Sequence, residues 1–439
     1  GFSKESARLE QGVSLILKEQ EQDGFEFNQS KAESLLASLY ERMNLVEEEV
    51  HETFKPRVMK EKLTPIILKS GKLGRMAYNE TTKKRTKLFD DELEHLLKGE
   101  LSVIRTYEIP FNLGSRKQIG EYLKDFGWKP KKFTPTGQPI VDEKVLHKIT
   151  DIPEAQLIAE YLLLQKRIAQ VESWIKFVEE DNRVHGFVIP NGTITGRMTH
   201  RNPNMAQVPS VKSPYGEECR SCWTVKKGNK LVGIDASGLE LRMLAHYMKD
   251  EEFTNEIING DIHSRNQKTA GLKSRDQAKT FIYALLYGAG DAKIGQVVGG
   301  SKEDGSRLKE RFFANQPSFK RLRERVTKAS GKGYLKGLDG RRIFIRNAHA
   351  SLNSLLQGGG AIVMKRALII LNNEATKNNL DYKFVANIHD EWQVEVREDH
   401  AKDFGSLAVK AIEDAGDYYN MRCPLDAEYK VGDDWSETH

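Results

Sequence analysis

Cysteine is nearly absent, with only Cys219, Cys222 and Cys423 in 439 residues. Cys219 and Cys222 form a CxxC, but no second pair and no histidine lies at zinc-ligand spacing, so the thiols are read as incidental and no metal is assigned to them. Uninterrupted apolar runs approaching the ~20 residues that span a bilayer are also lacking. The opening GFSKESARLEQ carries no secretory or transit pattern. A cytoplasmic chain without membrane contact is expected. No internal repeat or low-complexity tract occurs. The length is too great for one compact core, so two to four lobes are expected. Hydrophobic residues at 38% and charged residues at 30% suit an ordinary globular chain.

The net charge is only +5, but it is unevenly spread. Residues 55–88 hold eleven Lys or Arg against Glu61 and Glu80, so this stretch carries +9 and the remainder −4. Such a concentration suits a polyanionic partner as well as it suits a solvated loop. With Pro56, Pro65, Gly71 and Gly74 inside it, the stretch reads as an insertion rather than core.

Helical spacing of apolar residues runs through 8–52, broken near Gly24, and returns at 115–126 and 153–180. The last of these is expected to form an arm of antiparallel helices with the first. From Val188 the texture changes to short apolar runs, and LVGID (residues 231–235) reads as a buried strand. Residues 250–330 read as mostly helical, 333–346 as a turn and hairpin, and 350–377 as helix. In 384–396 two apolar runs flank His389, Asp390 and Glu391, as in a hairpin with acids at its bend.

Two constellations carry chemistry. Asp235, in DASGLELR, ends the strand LVGID, and Asp390 stands at a second strand end 155 residues later. Two such carboxylates brought together repel unless a divalent cation neutralises them, and hard oxygen ligands favour Mg²⁺. Paired Mg²⁺ ions commonly serve nucleotidyl transfer. Taken singly, each Asp reads rather as a helix cap or surface acid, and the metal reading needs the rest of the set. In RDQAKTFIYALLYGAG, Arg275, Lys279, Tyr283 and Tyr287 recur every four residues. Each step advances only about 40° around the helix, so all four share one broad face. Two cations followed by two aromatics there could hold a triphosphate, then a sugar and base. His263, in GDIH just upstream, is a further phosphate donor candidate.

In this order and spacing, DxSxxELR, RxxxKxxxYxxxYG and HDE resemble motifs A, B and C of family A DNA polymerases. The surrounding text (TGRMTH, PNMAQVP, SPYGEECR, GDIHSRNQ, SLNSLLQ) is similar to that of the thioredoxin-dependent phage replicases from Val188 onward. The resemblance implies an α+β right-hand fold with an antiparallel-sheet palm and a helical thumb and fingers. Thumb is expected over 1–187 with a basic insertion at about 53–110, palm over 188–250 and 350–439, and fingers over 251–349. It implies that Asp235, Asp390 and the Ala236 carbonyl bind two Mg²⁺ ions, with Glu391 as a supporting acid. His263, Arg275 and Lys279 would bind the triphosphate, with Lys279 protonating the departing pyrophosphate. Glu240, helped by Tyr283, resembles the steric gate against a ribose 2′-hydroxyl. Tyr287 would stack at the template position. Arg197, Asn204, Asn353, Gln357 and His389 match positions on primer–template DNA, largely in the minor groove, where the acceptors are nearly sequence-independent. Tyr283, rather than Phe, implies tolerance of dideoxynucleotides.

Two departures stand out. Ala284 occupies a place where the family usually has Gly, which implies a mild effect on fidelity or speed. No strand-borne Asp-x-Glu precedes the thumb, and Asp90-Asp91-Glu92 reads as a helix start, so no 3′→5′ exonuclease is expected in this chain; either the exonuclease lies on a stretch outside this sequence or a separate partner supplies it. The basic stretch falls where phage relatives capture thioredoxin. Thioredoxin, another processivity factor, or the DNA backbone itself is its expected partner, and a monomer is the default. A single-subunit RNA polymerase relative would lack Glu240 and Glu391, and a catalytically inactive primer–template binder would need neither metal-site acid.

Overall fold

Ser3 opens helix α1 (Lys4–Asp23). Its hydroxyl accepts the Ser6 N–H at 3.0 Å, and the Ser6 hydroxyl accepts the Ser3 N–H at 2.7 Å, a reciprocal cap. Leu9, Val13, Ile16 and Leu17 line its buried face. Gly24, with φ of 64°, ends the helix where the sequence breaks. Helix α2 (Gln29–Thr53) follows. The computed structural model describes residues 1–439, the side chain of Lys144 excepted. It divides into two compact units, Gly1–Leu35 with Gln170–His439, and Leu36–Ala169. The N-terminal segment expected over 1–187 is therefore shared between both units.

In the second unit the basic stretch is sheet. Strands β1 (Arg57–Ile67), β2 (Leu73–Asn79) and β3 (Lys84–Lys87) join β4 (Val103–Ile109) in the antiparallel order β3-β2-β1-β4. One face buries Leu63, Ala77 and Val103 with Leu88 and with Leu96 of helix α3 (Asp90–Leu97). Asp90, Asp91 and Glu92 thus begin a helix, and Glu92 accepts two 2.7 Å bonds from the Arg105 guanidinium. Helices α4 (Arg116–Asp125) and α5 (Pro153–Lys176) fall where expected. Arg42 of α2 pairs with Glu160 of α5 at 2.7 Å.

The first unit is built on a four-stranded antiparallel sheet. Strand β5 (Asn229–Ala236) leads into α6 (Leu239–Met248), and α7 (Ile262–Ala270) and α8 (Arg275–Leu286) follow. After the short hairpin Tyr334–Lys336 and Arg342–Phe344 come α9 (Ser351–Lys377), β6 (Tyr382–Ile388), β7 (Glu391–Arg397), α10 (Ala401–Tyr418) and β8 (Ala427–Gly432). The strand order is β6-β7-β5-β8. Val232, Ile234, Trp392, Val394 and Val396 are buried with Leu368 and Leu371 of α9 and Phe404 and Ile412 of α10. Helix α10 lies so close to the sheet that a Cβ at Gly405 would meet the Tyr429 ring at 2.3 Å, a contact only glycine permits.

Averaged over a window, the segment Ala348–Lys377 is long and apolar enough to cross a membrane, contrary to the reading of short runs. Here it is a core helix: 78% of that window is buried, and Lys365 in its middle pairs with Glu10 at 2.7 Å.

Candidate active site

Strand β5 is hydrogen-bonded on both sides, opposite β7 and β8, and Asp235 lies near its end. Glu391 stands directly across from Asp235 on β7. Asp390 and His389 form the two-residue turn between β6 and β7, with His389 in the left-handed region at φ 55°. The Ala236 N–H donates to the Asp390 carbonyl at 3.1 Å, so the turn is fastened to the end of β5. The two acids at the heart of the sequence reading are therefore brought together by adjacent strand ends.

The Asp235 side chain is open to solvent on one side, yet the protein mass around it strips enough water to matter. Burial first, then Asp390 and Glu391, push its carboxyl up to about 6. A carboxylate so short of positive charge fits a divalent cation. Among the described residues no three His, Cys, Asp or Glu side chains form a closed cage. Two carboxylates and a backbone carbonyl suit Mg²⁺, which keeps part of its shell for water and substrate oxygens.

Glu391 is different in kind. It is buried, and its carboxylate accepts the Trp435 indole N–H at 2.7 Å, the Gln393 amide at 2.7 Å and His439 Nδ1 at 2.9 Å, with the Arg220 guanidinium 3.9 Å away. Burial alone would raise it, but His439, Arg220 and Trp435 outweigh that and hold it below the usual carboxylate range. The sequence reading missed Trp435, His439 and Arg220, because no local motif marks them.

Helix α8 is capped by Ser274, whose hydroxyl accepts the Gln277 N–H at 3.2 Å. At its start Arg275 pairs with Asp261 at 2.7 Å. Asp261 also caps α7, accepting the His263 N–H at 3.1 Å, and these donors, Arg275 foremost, keep its carboxyl well below the ordinary range. Asp261 is a second residue the sequence reading overlooked, although an Asp before a helix start is a signal in itself. Burial, then Arg275 and Lys279, lower His263. Further along, the Tyr283 and Tyr287 rings lie 6.3 Å apart, and the Tyr283 and His263 rings 6.3 Å apart. Burial, then Glu240 and Asp390, raise the Tyr283 hydroxyl. Glu240, in the first turn of α6, accepts the Tyr287 hydroxyl at 2.9 Å and Arg197 at 3.0 Å. Burial, then that carboxylate, raise Tyr287 to about 12.

Arg197, Asn204, Asn353, Gln357 and His389 all line one groove of about 460 Å³. His200 shares it, donating from Nε2 to the Asn387 carbonyl at 2.7 Å. Cys219 and Cys222 are both buried, and burial pushes the Cys222 thiol up to about 12.

The family model described as DNA polymerase family A matches residues 79–437. The DNA-directed DNA polymerase of Enterobacteria phage T3 is 38% identical over the whole chain, which spans 70% of that relative, and that of Escherichia phage T7 is 37% identical with the same coverage. The DNA polymerase I of Helicobacter pylori strain 26695 is 29% identical over 80% of the chain and 40% of its own length. Among solved structures, the POL domain of Pol1 from M. smegmatis, in complex with DNA primer-template and dNTP, is similar with a TM-score of 0.78 at 21% identity, covering 97% of the chain and 70% of that one. The paired acids, the four-residue rhythm of α8 and these likenesses converge: the chain belongs to DNA polymerase family A.

Proposed function

We propose that the chain is a template-directed DNA polymerase, extending a primer 3′ end with deoxynucleotides in viral replication. The observation that carries this reading is the meeting of two structures built far apart in sequence. Asp235 at the end of β5 and Asp390 in the β6–β7 turn are fastened together, Glu240 lines the same pocket as Asp390, and Glu240 accepts the Tyr287 hydroxyl of the helix face that also bears Arg275, Lys279 and Tyr283.

Asp235, Asp390 and the Ala236 carbonyl would hold two Mg²⁺ ions, which when bound lower the pKa of the attacking hydroxyl and offset charge on the phosphoryl group. Arg275, Lys279 and His263 bind the triphosphate as hydrogen-bond donors. Lys279 gives a proton to the departing pyrophosphate. Glu240, held by Arg197 and Tyr287, stands as a wall against a 2′-hydroxyl, with Tyr283 packing the sugar. Tyr287 meets the templating base. The groove of Arg197, Asn204, Asn353, Gln357 and His389 takes the primer–template through contacts that do not depend on sequence. Glu391 supports the acids from beneath through its Trp435, Gln393 and His439 bonds.

In this reading residues 1–187 act as thumb, 188–250 and 350–439 as palm, and 251–349 as fingers. The chain works as a monomer in the cytoplasm of an infected cell. The basic insertion contacts the DNA backbone directly, or takes a processivity factor such as thioredoxin.

A labelled primer–template with Mg²⁺ and either deoxy- or ribonucleotides tests the proposal. Extension with deoxynucleotides alone, and an unchanged primer when nucleotides are withheld, are expected. Preferred extension with ribonucleotides would favour the RNA polymerase alternative. Tight binding without extension would favour the inactive binder.

A further inference from the structure

The four-stranded sheet of the second unit has one face covered and one face open. Side chains opposite one another on paired strands share a face. On the open face Lys62 stands opposite Ile104, Lys60 opposite Thr106, Tyr78 opposite both Thr64 and Arg85, and Met76 opposite Lys87. The covered face is the other one, where Leu63, Ala77 and Val103 pack beneath α3.

This open face has an unusual mixture. Four cations (Lys60, Lys62, Arg85 and Lys87) outnumber the two acids near them, Glu80 and Glu108. Lys62 is engaged only by Glu80, at 3.3 Å and with both side chains about half exposed, a pair that solvent and a phosphate can replace readily. Among the cations lie large exposed apolar groups: Ile104 is 66% exposed, Tyr78 41% and Met76 40%. Met76 and Tyr78, two apart on β2, are neighbours on this face, and Ile104 lies beyond them on β4 across Lys62 of β1, so the apolar groups are interleaved with the cations.

The partner follows from the mixture. A face offering only cations would suit any polyanion. A duplex presents phosphates to a flat surface and keeps its bases inside, so Ile104, Tyr78 and Met76 would meet nothing that they could desolvate. A single strand presents both, with phosphates for the cations and unstacked bases for the apolar and aromatic platform. Lys60 and Lys62, two residues apart on β1, also stand about 6.8 Å apart, close to the spacing of successive phosphates in an extended strand. We infer that the open face of the sheet β3-β2-β1-β4 is a binding platform for single-stranded DNA, formed by residues that share nothing with the cleft around Asp235 and Asp390.

The test uses the full chain. Its cleft is first saturated with an unlabelled hairpin primer–template ended by a dideoxynucleotide. Binding of a labelled oligothymidylate is then followed by anisotropy over a range of salt. The cleft-blocked protein should bind the strand, and Lys60→Gln/Lys62→Gln/Arg85→Gln/Lys87→Gln should weaken binding by about tenfold or more. The salt slope should fall by about 0.7 for each cation that lay on a phosphate. Tyr78→Ser/Ile104→Ser should weaken binding without changing the slope. All six positions are on the open face, and unchanged melting would confirm that the variants fold.

Failure of the blocked protein to bind the strand would overturn the inference, as would unchanged affinity and slope in the fourfold variant. A blunt duplex bound as tightly as the single strand, or no effect of Tyr78→Ser/Ile104→Ser, would overturn the single-strand assignment. Single-nucleotide incorporation on an extendable hairpin, measured in the same variants, reads the polymerase proposal separately and should be unchanged.

Discussion

The Tyr287 hydroxyl donates to the Glu240 carboxylate at 2.9 Å, joining the end of the α8 face to the first turn of α6. Arg197 shares the same carboxylate at 3.0 Å. Glu240 is thus held from two directions and cannot swing aside without giving up charge-assisted hydrogen bonds. Glu240→Ala should therefore admit ribonucleotides. Each lost bond of this kind is worth roughly 1.5–3 kcal/mol, so the deoxy-to-ribo ratio of kcat/KM should fall by about tenfold to a hundredfold. Tyr287→Phe should produce a smaller change in the same direction. An unaltered ratio in Glu240→Ala would remove Glu240 from the sugar-selecting role.

Asp390→Asn should abolish synthesis while leaving primer–template binding within a few fold. The substitution preserves shape at the β6–β7 turn and removes one of the two charges that a divalent cation would bridge. Extension assays and binding titrations on the same preparation check it. Residual extension close to the parent rate would sink the paired-metal reading.

The Tyr283 ring lies 6.3 Å from the His263 ring, and burial, then Glu240 and Asp390, raise its hydroxyl. The family resemblance implies that this position sets the tolerance of sugars lacking a 3′-hydroxyl. Competition between dideoxy and deoxy substrates should show efficient dideoxy incorporation that drops sharply in Tyr283→Phe. Strong discrimination already in the parent, unmoved by the substitution, would count against this role.

Glu391 is buried as an anion among His439, Gln393, Trp435 and Arg220. Glu391→Gln should destabilise the first unit by roughly 1.5–3 kcal/mol, the worth of hydrogen bonds to a charged group. Chemical denaturation would register this as a lower midpoint. An unchanged midpoint would mean that the amide satisfies the same donors.

His246 is 7% exposed, and burial, then Arg422 and Lys249, hold its ring down at about 4. Its Nδ1 accepts the Arg422 N–H at 3.2 Å. The unfolded chain takes up this proton near 6.5, whereas the folded one resists it until about pH 4. Its stabilising effect is therefore complete above about pH 6.5 and is lost as pH falls toward 4, by roughly 3 kcal/mol in all. His246→Asn, which keeps an acceptor for Arg422, should flatten the stability profile between those limits. A slope identical to the parent would assign the acid sensitivity to other groups.

Much of the candidate site was legible because its signals are local. The four-residue rhythm from Arg275 to Tyr287 needs only helix geometry, and Asp235 and Asp390 announce themselves at the ends of apolar strands. The sheet of residues 57–109 was not legible, because its covered face is not uniformly apolar. Glu61 lies on it, accepting the Tyr107 hydroxyl at 2.9 Å, and buried Asn79 there caps the following turn through the Thr81 and Thr82 N–H groups at 2.9 Å. These residues blur the alternation by which strands are read. Pro65, beside a bulge, resembles a loop in sequence. The setting of Glu391 was equally hidden, since Trp435 lies 44 residues downstream and Arg220 far upstream, and only the fold makes them neighbours.

The pairing of β5 with β7 is a continuous ladder from Asp235–Glu391 to Asn229–Arg397. It works as a fixed ruler between the two acids. Whatever the helix bearing Tyr283 does as nucleotides come and go, the interval between the two acid-bearing strand ends can change only if backbone hydrogen bonds break. Amide protons along β5 should accordingly be among the slowest in the molecule to exchange with solvent.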